Sequence, residues 1–139
     1  WAASDVESMA DVVHNNKNIS ANVASGSYRT CGMIVAPCSM KTLSGIVNSY
    51  SDNLITRAAD VVLKEQRRLI LVPRETPLHL GHCELLARAC QLGATVHPPS
   101  PAFYTRPKTV DDIIDQTVAR LLDMIGIEVS QLVRWRGNQ

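Results

Sequence analysis

The residues best suited to chemistry gather where apolar runs stop. Gly32-Met-Ile-Val-Ala36 is followed by Pro37, Cys38 and Ser39, then by Met40, Lys41, Thr42 and Leu43. A short apolar run of this kind reads as a strand buried on both faces, as in a parallel sheet. Pro37 has no N–H to give to a ladder, so the strand is expected to end there. Ser39 then offers a hydroxyl where a helix begins. A strand, a tight turn and a helix N-terminus present free backbone N–H groups at the carboxyl end of a sheet, where α/β proteins hold anions and cofactors. The same residues also suit an ordinary βα turn capped by a serine. Leu69-Ile-Leu-Val72 is a second such run, ended by Pro73 and followed by Arg74 and Glu75. Charged groups just past a buried parallel strand line the crevice of such a sheet. Arg57 and Lys64 are seven apart, two helical turns, and so share a face. That pair suits either a solvated basic face or a phosphate clamp. Ser25-Gly26-Ser27 suits a small ligand loop or a plain turn.

The elements that must position these groups follow from length and periodicity. A chain of 139 residues, 45% apolar with a single Phe, is expected to form one domain with a modest aliphatic core. A net charge of +1 gives no global reason for nucleic acid or an anionic membrane surface. Cys31, Cys38, Cys83 and Cys90 form no C-x-x-C pair and no metal spacing, which fits a reducing compartment without a disulfide framework. Neither a membrane-spanning run nor a secretory leader is expected. Because the chain opens on Trp1 without a methionine, it reads as a fragment or a processed form.

Ser4 and Glu7 suggest a capping box for a helix from Asp5 to His14, and residues 15–27 a polar loop. Helices are expected over Met40–Asn48 and over Leu54–Gln66, the second capped by Ser51 or Asp52. A further helix, His79–Leu92, closes at Gly93. On it Cys83 and Cys90 read as packing residues, of the core or of an interface, and His79 and His82 as hydrogen-bonding groups without a third metal ligand. Ala94–His97 is a third strand. An extended proline-rich segment over 98–107 carries Phe103, Tyr104 and Arg106. Thr109 caps a helix running to Ile125, with Val110, Ile113, Ile114, Thr117, Val118, Leu121, Leu122 and Ile125 on its apolar face. Arg120 interrupts the apolar residues around it. A C-terminal arm over 127–139 places Trp135 between Arg134 and Arg136. This alternation specifies a three-layer α/β fold with a parallel sheet.

Seven stretches then occur together in register: Ala24–Ser27, Ala36–Leu43, Asp52–Ile55, Arg57–Glu65, Leu71–Leu78, Pro101–Tyr104 and Arg134-Trp135. In this order they resemble the flavin prenyltransferases, the UbiX-like family linked to phenylacrylic and hydroxybenzoic acid decarboxylases. The resemblance runs from about Asp5 to Trp135. It implies a flavodoxin-like, Rossmann-type fold in the single domain 1–139, lacking the family's first βαβ segment with its Gly-rich turn and glutamate-bearing stretch. Without that segment, the strand at Gly32 is expected to be an open edge and the activity of the chain by itself is in question.

The resemblance also implies the chemistry. Such proteins join a dimethylallyl group from dimethylallyl phosphate to N5 and C6 of reduced FMN, without a metal, for a partner decarboxylase, as in ubiquinone biosynthesis. Ser39, Met40, Thr42 and Arg57 would hold the flavin. Ser25, Lys64, Arg74, Tyr104 and Arg120 would clamp the phosphate, whose leaving charge fixed cations stabilise. Glu75 would handle a proton, and Trp135 would set a π face beside the developing allyl cation. A trimer or dodecamer with sites between subunits is expected, in the cytoplasm or, for a eukaryotic relative, the mitochondrion. Two other readings stand beside this one: a flavin-binding or assembly module without turnover, and an FMN-dependent cysteine decarboxylase. The set of phosphate-directed cations argues against the latter, since a peptide substrate needs no such clamp.

Overall fold

Alternation along the strands decides how the layers stack. The structure is a computed structural model that describes residues 2–130 together with Leu132 and Arg134. Three parallel strands, β1 (Gly32–Cys38), β2 (Arg68–Pro73) and β3 (Thr95–Val96), lie in the order β1-β2-β3. Leu69 and Leu71 join a core with Val35 and Cys38 from β1, and with Leu43, Ile46, Ala59, Val62 and Ala89 from three helices. Those helices are α2 (Met40–Val47), α3 (Leu54–Lys64) and α4 (Leu80–Gln91). Ile70 and Val72 point the other way, onto Leu121 of α5 (Val110–Met124). Successive side chains leave opposite faces of a strand, so one six-residue strand serves both cores. This is the expected three-layer arrangement. Among the described residues β1 forms one edge of the sheet.

The strand at Gly32 does not stop at Pro37. It pairs with β2 from Gly32↔Arg68 to Val35↔Leu71, slips register, and pairs again at Cys38↔Pro73. Pro37 therefore sits in a bulge, where a missing N–H breaks no ladder bond, and the Ala36–Pro37 peptide is cis. The helix expected over Asp5–His14 is also shorter, α1 covering only Ala3–Glu7 with no buried residue. Ser4 does not cap it; the Asp5 carboxylate instead accepts from the Ala2 N–H at 2.8 Å. Met9, Val12 and Val13 are all more than half exposed, so no packing rewards their helical spacing.

Other boundaries hold with local corrections. The polar 15–27 loop contains a 3₁₀ turn at Asn22–Ala24, and the proline-rich segment another at Phe103–Thr105. Ser39 caps α2, its Oγ accepting from the Thr42 N–H at 3.2 Å. Thr109 caps α5 with a reciprocal bond from Asp112. The cap of α3 is Asn53, rather than Ser51 or Asp52, with its Oδ1 accepting from the Thr56 N–H at 3.0 Å. Asn16 completes that end: its carbonyl accepts from Leu54 at 2.8 Å and its Oδ1 from Ile55 at 3.1 Å. Gly93 and Gly126 follow α4 and α5 at φ +97 and +87, left-handed backbone that suits glycine at a helix end. Cys83 and Cys90 are exposed, so they are not core residues of this chain. Of the apolar face expected on α5, Leu121 is buried while Val110, Ile114 and Val118 are exposed.

If Asn53 is the cap, Asn53→Ala lowers unfolding free energy by about 1 kcal/mol. Ser51→Ala should stay within about 0.5 kcal/mol of the parent. Urea titrations of both variants check this, and the reverse order would restore Ser51 as the cap.

Candidate functional site

Strand direction sorts the site residues between two edges of the sheet. At the carboxyl edge, β1 ends at Cys38, and Ser39 opens α2. The Ser39 and Thr42 hydroxyls lie 3.1 Å apart. With Thr42 N–H taken by Ser39, the first-turn amides of Met40 and Lys41 have no acceptor inside the helix. Two hydroxyls and two amides at an exposed turn suit a polar or anionic group. Arg74 and Glu75 follow β2 at this edge, both exposed. The Glu75 carboxylate turns back to accept from the Thr76 N–H at 3.2 Å. His97, whose N–H binds Leu71 O at 2.8 Å, brings the end of β3 here. The segment carrying Tyr104 leaves from this edge.

Cys38 lies under this turn, 1% exposed, and burial pushes its thiol up to about 11. A thiol held neutral at physiological pH is a packing group rather than a nucleophile. A cavity of about 610 Å³ opens between α2 and α3, lined by Lys41, Thr42, Asn48, Tyr50 and Asn53 among others. It has the size of a small-molecule site. Of the residues expected to hold flavin it takes in Thr42 alone.

The amino edge holds a second group. The Arg67 guanidinium donates to Gly26 O at 2.7 Å and Tyr28 O at 2.8 Å. That bidentate grip brings the Ser25 loop to the end of α3 that carries Lys64. Within the loop the Ser25 and Ser27 hydroxyls lie 2.9 Å apart, and Lys64 stands 4.0 Å from Glu65. Arg57, two turns earlier, leans on Asp60 at 3.6 Å.

Arg120 lies on α5, across the sheet from α3. Arg68, the first residue of β2, donates to Met124 O at 3.2 Å, so the last turn of α5 also sits at the amino edge. The Arg120 guanidinium binds Asp123 at 2.6 Å, and Arg134 binds the same carboxylate. Trp135 lies outside the described residues.

The five residues expected to clamp phosphate thus fall in three places: Ser25 with Lys64, Arg74 with Tyr104, and Arg120. β2 separates the edges by about 20 Å, six residues at 3.3 Å each. Sequence reasoning missed Arg67 and Asn16, because each acts across a long span that no local spacing reveals. It also missed Asp123, although its i,i+3 relation to Arg120 was there to be read. His79 and His82 stack with ring centroids 3.7 Å apart. His82 Nδ1 is buried without a partner among the described residues, and the two rings meet each other. Among the described residues no three metal-ligating side chains come together, and no helix is long and apolar enough to cross a membrane.

A parallel sheet with a serine-capped turn at its carboxyl edge defines an α/β domain of the nucleotide- and flavin-binding class. Consistently, the family model described as Flavoprotein matches residues 2–122. Flavin prenyltransferase UbiX of Escherichia coli is 55% identical over 135 residues, 96% of this chain and 71% of that protein. The crystal structure of AnUbiX in complex with FMN and dimethylallyl pyrophosphate superimposes with a TM-score of 0.96 at 47% identity, covering 100% of this chain and 74% of that one. A dodecameric FMN-dependent UbiX-like decarboxylase from Escherichia coli O157:H7 gives 0.94 at 52% identity, covering 99% and 74%. The chain belongs to the UbiX-like flavin prenyltransferase family.

The buried thiol can be tested directly. In the native protein at about pH 8, Cys38 should resist iodoacetamide and react only once denaturant is added. Mass spectrometry of tryptic peptides reads this, and early labelling at Cys38 would show that the turn above it opens.

Proposed function

We propose that this protein transfers a dimethylallyl group from dimethylallyl phosphate to N5 and C6 of reduced FMN, supplying prenylated flavin to a separate aromatic acid decarboxylase. The observation that carries the reading is the superposition, at a TM-score of 0.96, on a relative holding both FMN and an allylic pyrophosphate. The residues present suit both ligands. Ser39, Thr42 and the Met40 amide offer donors to flavin at the carboxyl edge, with Arg57 as a further cation. Ser25, Lys64, Arg74, Tyr104 and Arg120 supply hydroxyls and positive charge for the phosphate. Fixed cations lower the cost of breaking the allylic C–O bond by receiving the charge that leaves with the phosphate. Glu75 is the acid–base group beside Arg74, and Trp135 the aromatic wall that keeps water from the allyl cation.

One chain presents these cations at both edges and on both faces of its sheet. A single phosphate meets all of them only if neighbouring subunits each contribute some. The proposed site therefore lies between copies, and the dodecameric state of one relative supports an assembly of that kind here.

Lys64→Met and Arg74→Met should each weaken binding of dimethylallyl phosphate by roughly 1.5–3 kcal/mol while FMN still binds. Calorimetry with each ligand measures both, and equal loss of the two would show the sites are not separable. Mixing the two variants under conditions that exchange subunits should restore prenylated flavin, read by mass in an anaerobic assay. If the mixture stays as inactive as its components, both cations come from one subunit.

A further inference from the structure

We infer that Asp123 is a positioning residue for the allylic phosphate: its one carboxylate aims the Arg120 guanidinium and also pins Arg134, so that clamp and C-terminal arm are set together. This rests on the proposed function, which places Arg120 on the phosphate.

The geometry separates this cluster from an ordinary surface pair. Exposed i,i+3 ion pairs on helices are usually worth little, and Arg57 with Asp60 is one: 3.6 Å apart, with side chains 41% and 29% exposed. Arg120 and Asp123 have the same spacing but lie 2.6 Å apart, and the acid is only 17% exposed. Arg134 reaches both oxygens of Asp123 from eleven residues away. Its two N–H groups meet the carboxylate as a fork, a geometry that fixes direction as well as distance.

The chain between them is folded back to allow this. It reverses at Gly126, with the Ile127 N–H bound to Leu122 O at 2.9 Å. Val129 then faces Val118, Ala119 and Leu122 across a small cavity of about 180 Å³. Val129 and Arg134 thus both lie against α5. Arg134 holds the Asp123 carboxyl below the usual carboxylate range, with Arg120 adding to the effect.

The Asp123 carboxylate lies between two guanidiniums, and Glu128 acts on Arg134 as a second acid. Arg134 shares the charge of Asp123, so that charge does not fall on Arg120 alone. A guanidinium has five N–H donors, and the bond to Asp123 runs from Nη1 alone.

The test uses the protein expressed from its complete reading frame, with Asp123→Asn and Asp123→Glu. Asp123→Asn should raise the KM for dimethylallyl phosphate about tenfold or more, leaving the KM for FMN unchanged. Asp123→Glu, which keeps the charge, should recover most of the loss. Trypsin should cut after Arg134 faster in Asp123→Asn than in the parent or in Asp123→Glu, because an undocked arginine enters the protease. An unchanged donor KM in Asp123→Asn, or an equal rise for donor and FMN, overturns the inference. Should the parent make no prenylated flavin, the proposed function fails instead. Asp123 is then judged by tryptic cleavage and by calorimetry with dimethylallyl phosphate, and parental values for both in Asp123→Asn overturn it.

Discussion

Arg68–Pro73 is paired along both edges and covered on both faces, and most of the molecule is arranged by that confinement. Its middle residues Leu69, Ile70, Leu71 and Val72 are each no more than 7% exposed. A backbone this deeply buried must satisfy its N–H and C=O groups within the sheet, which β1 and β3 do by parallel pairing. Parallel neighbours require helical crossovers, and these deliver α2, α3 and α4 to the Leu69–Leu71 face. The opposite face, Ile70 and Val72, is left for α5. A polar residue in this strand would disturb both cores at once, since each contact on one face shares its backbone with a contact on the other.

Parallel pairing also gives the sheet two chemically different edges. At the carboxyl edge, strands end and helices begin, so amides and hydroxyls gather there: the Ser39 turn, then Arg74 and Glu75. At the amino edge, helices end and strands begin, and cations accumulate: Lys64, Arg67 and Arg68. Arg67 spends its charge on the carbonyls of the Ser25 loop, and Arg68 on the end of α5. An assembly in which the amino edge of one subunit met the carboxyl edge of another would bring hydroxyls, amides and cations to one place. The proposed donor site depends on that meeting. The two-armed grip of Asp123 on Arg120 and Arg134 is the local counterpart, one half-buried acid giving direction to two long flexible cations.

Much of this was legible in the chain as written. The apolar runs at Gly32 and Leu69 marked parallel strands, but only the second is buried on both faces; the first is half-covered, with Ala36 exposed. Ser39 and Thr109 declared helix starts because a hydroxyl at that point satisfies an amide that nothing else can reach. Pro73 and the charged pair after it marked the carboxyl edge of the sheet, and seven short stretches in order marked the family. These signals are local, written within a turn or a strand, and they survive without knowledge of the fold.

What the chain concealed was decided at long range. Periodicity marked Met9, Val12 and Val13 as a helical face, yet the described residues leave all three more than half exposed, and the helix ends at Glu7. Ser51 or Asp52 was expected to cap α3, but Asn53 does so, and Asn16, far away in sequence, completes that end. Cys83 and Cys90 had core spacing but lie on the outward side of α4, because helical period shows that residues share a face and not which way that face turns. The phosphate-directed residues read as one set in sequence and fall at two edges and on two faces in space. The sequence alone determined where the strands lie, the caps at Ser39 and Thr109 and the family, since these depend on neighbouring residues. Tertiary structure alone decided which apolar faces are covered and which cations meet, since burial and Coulomb attraction depend on distance through space.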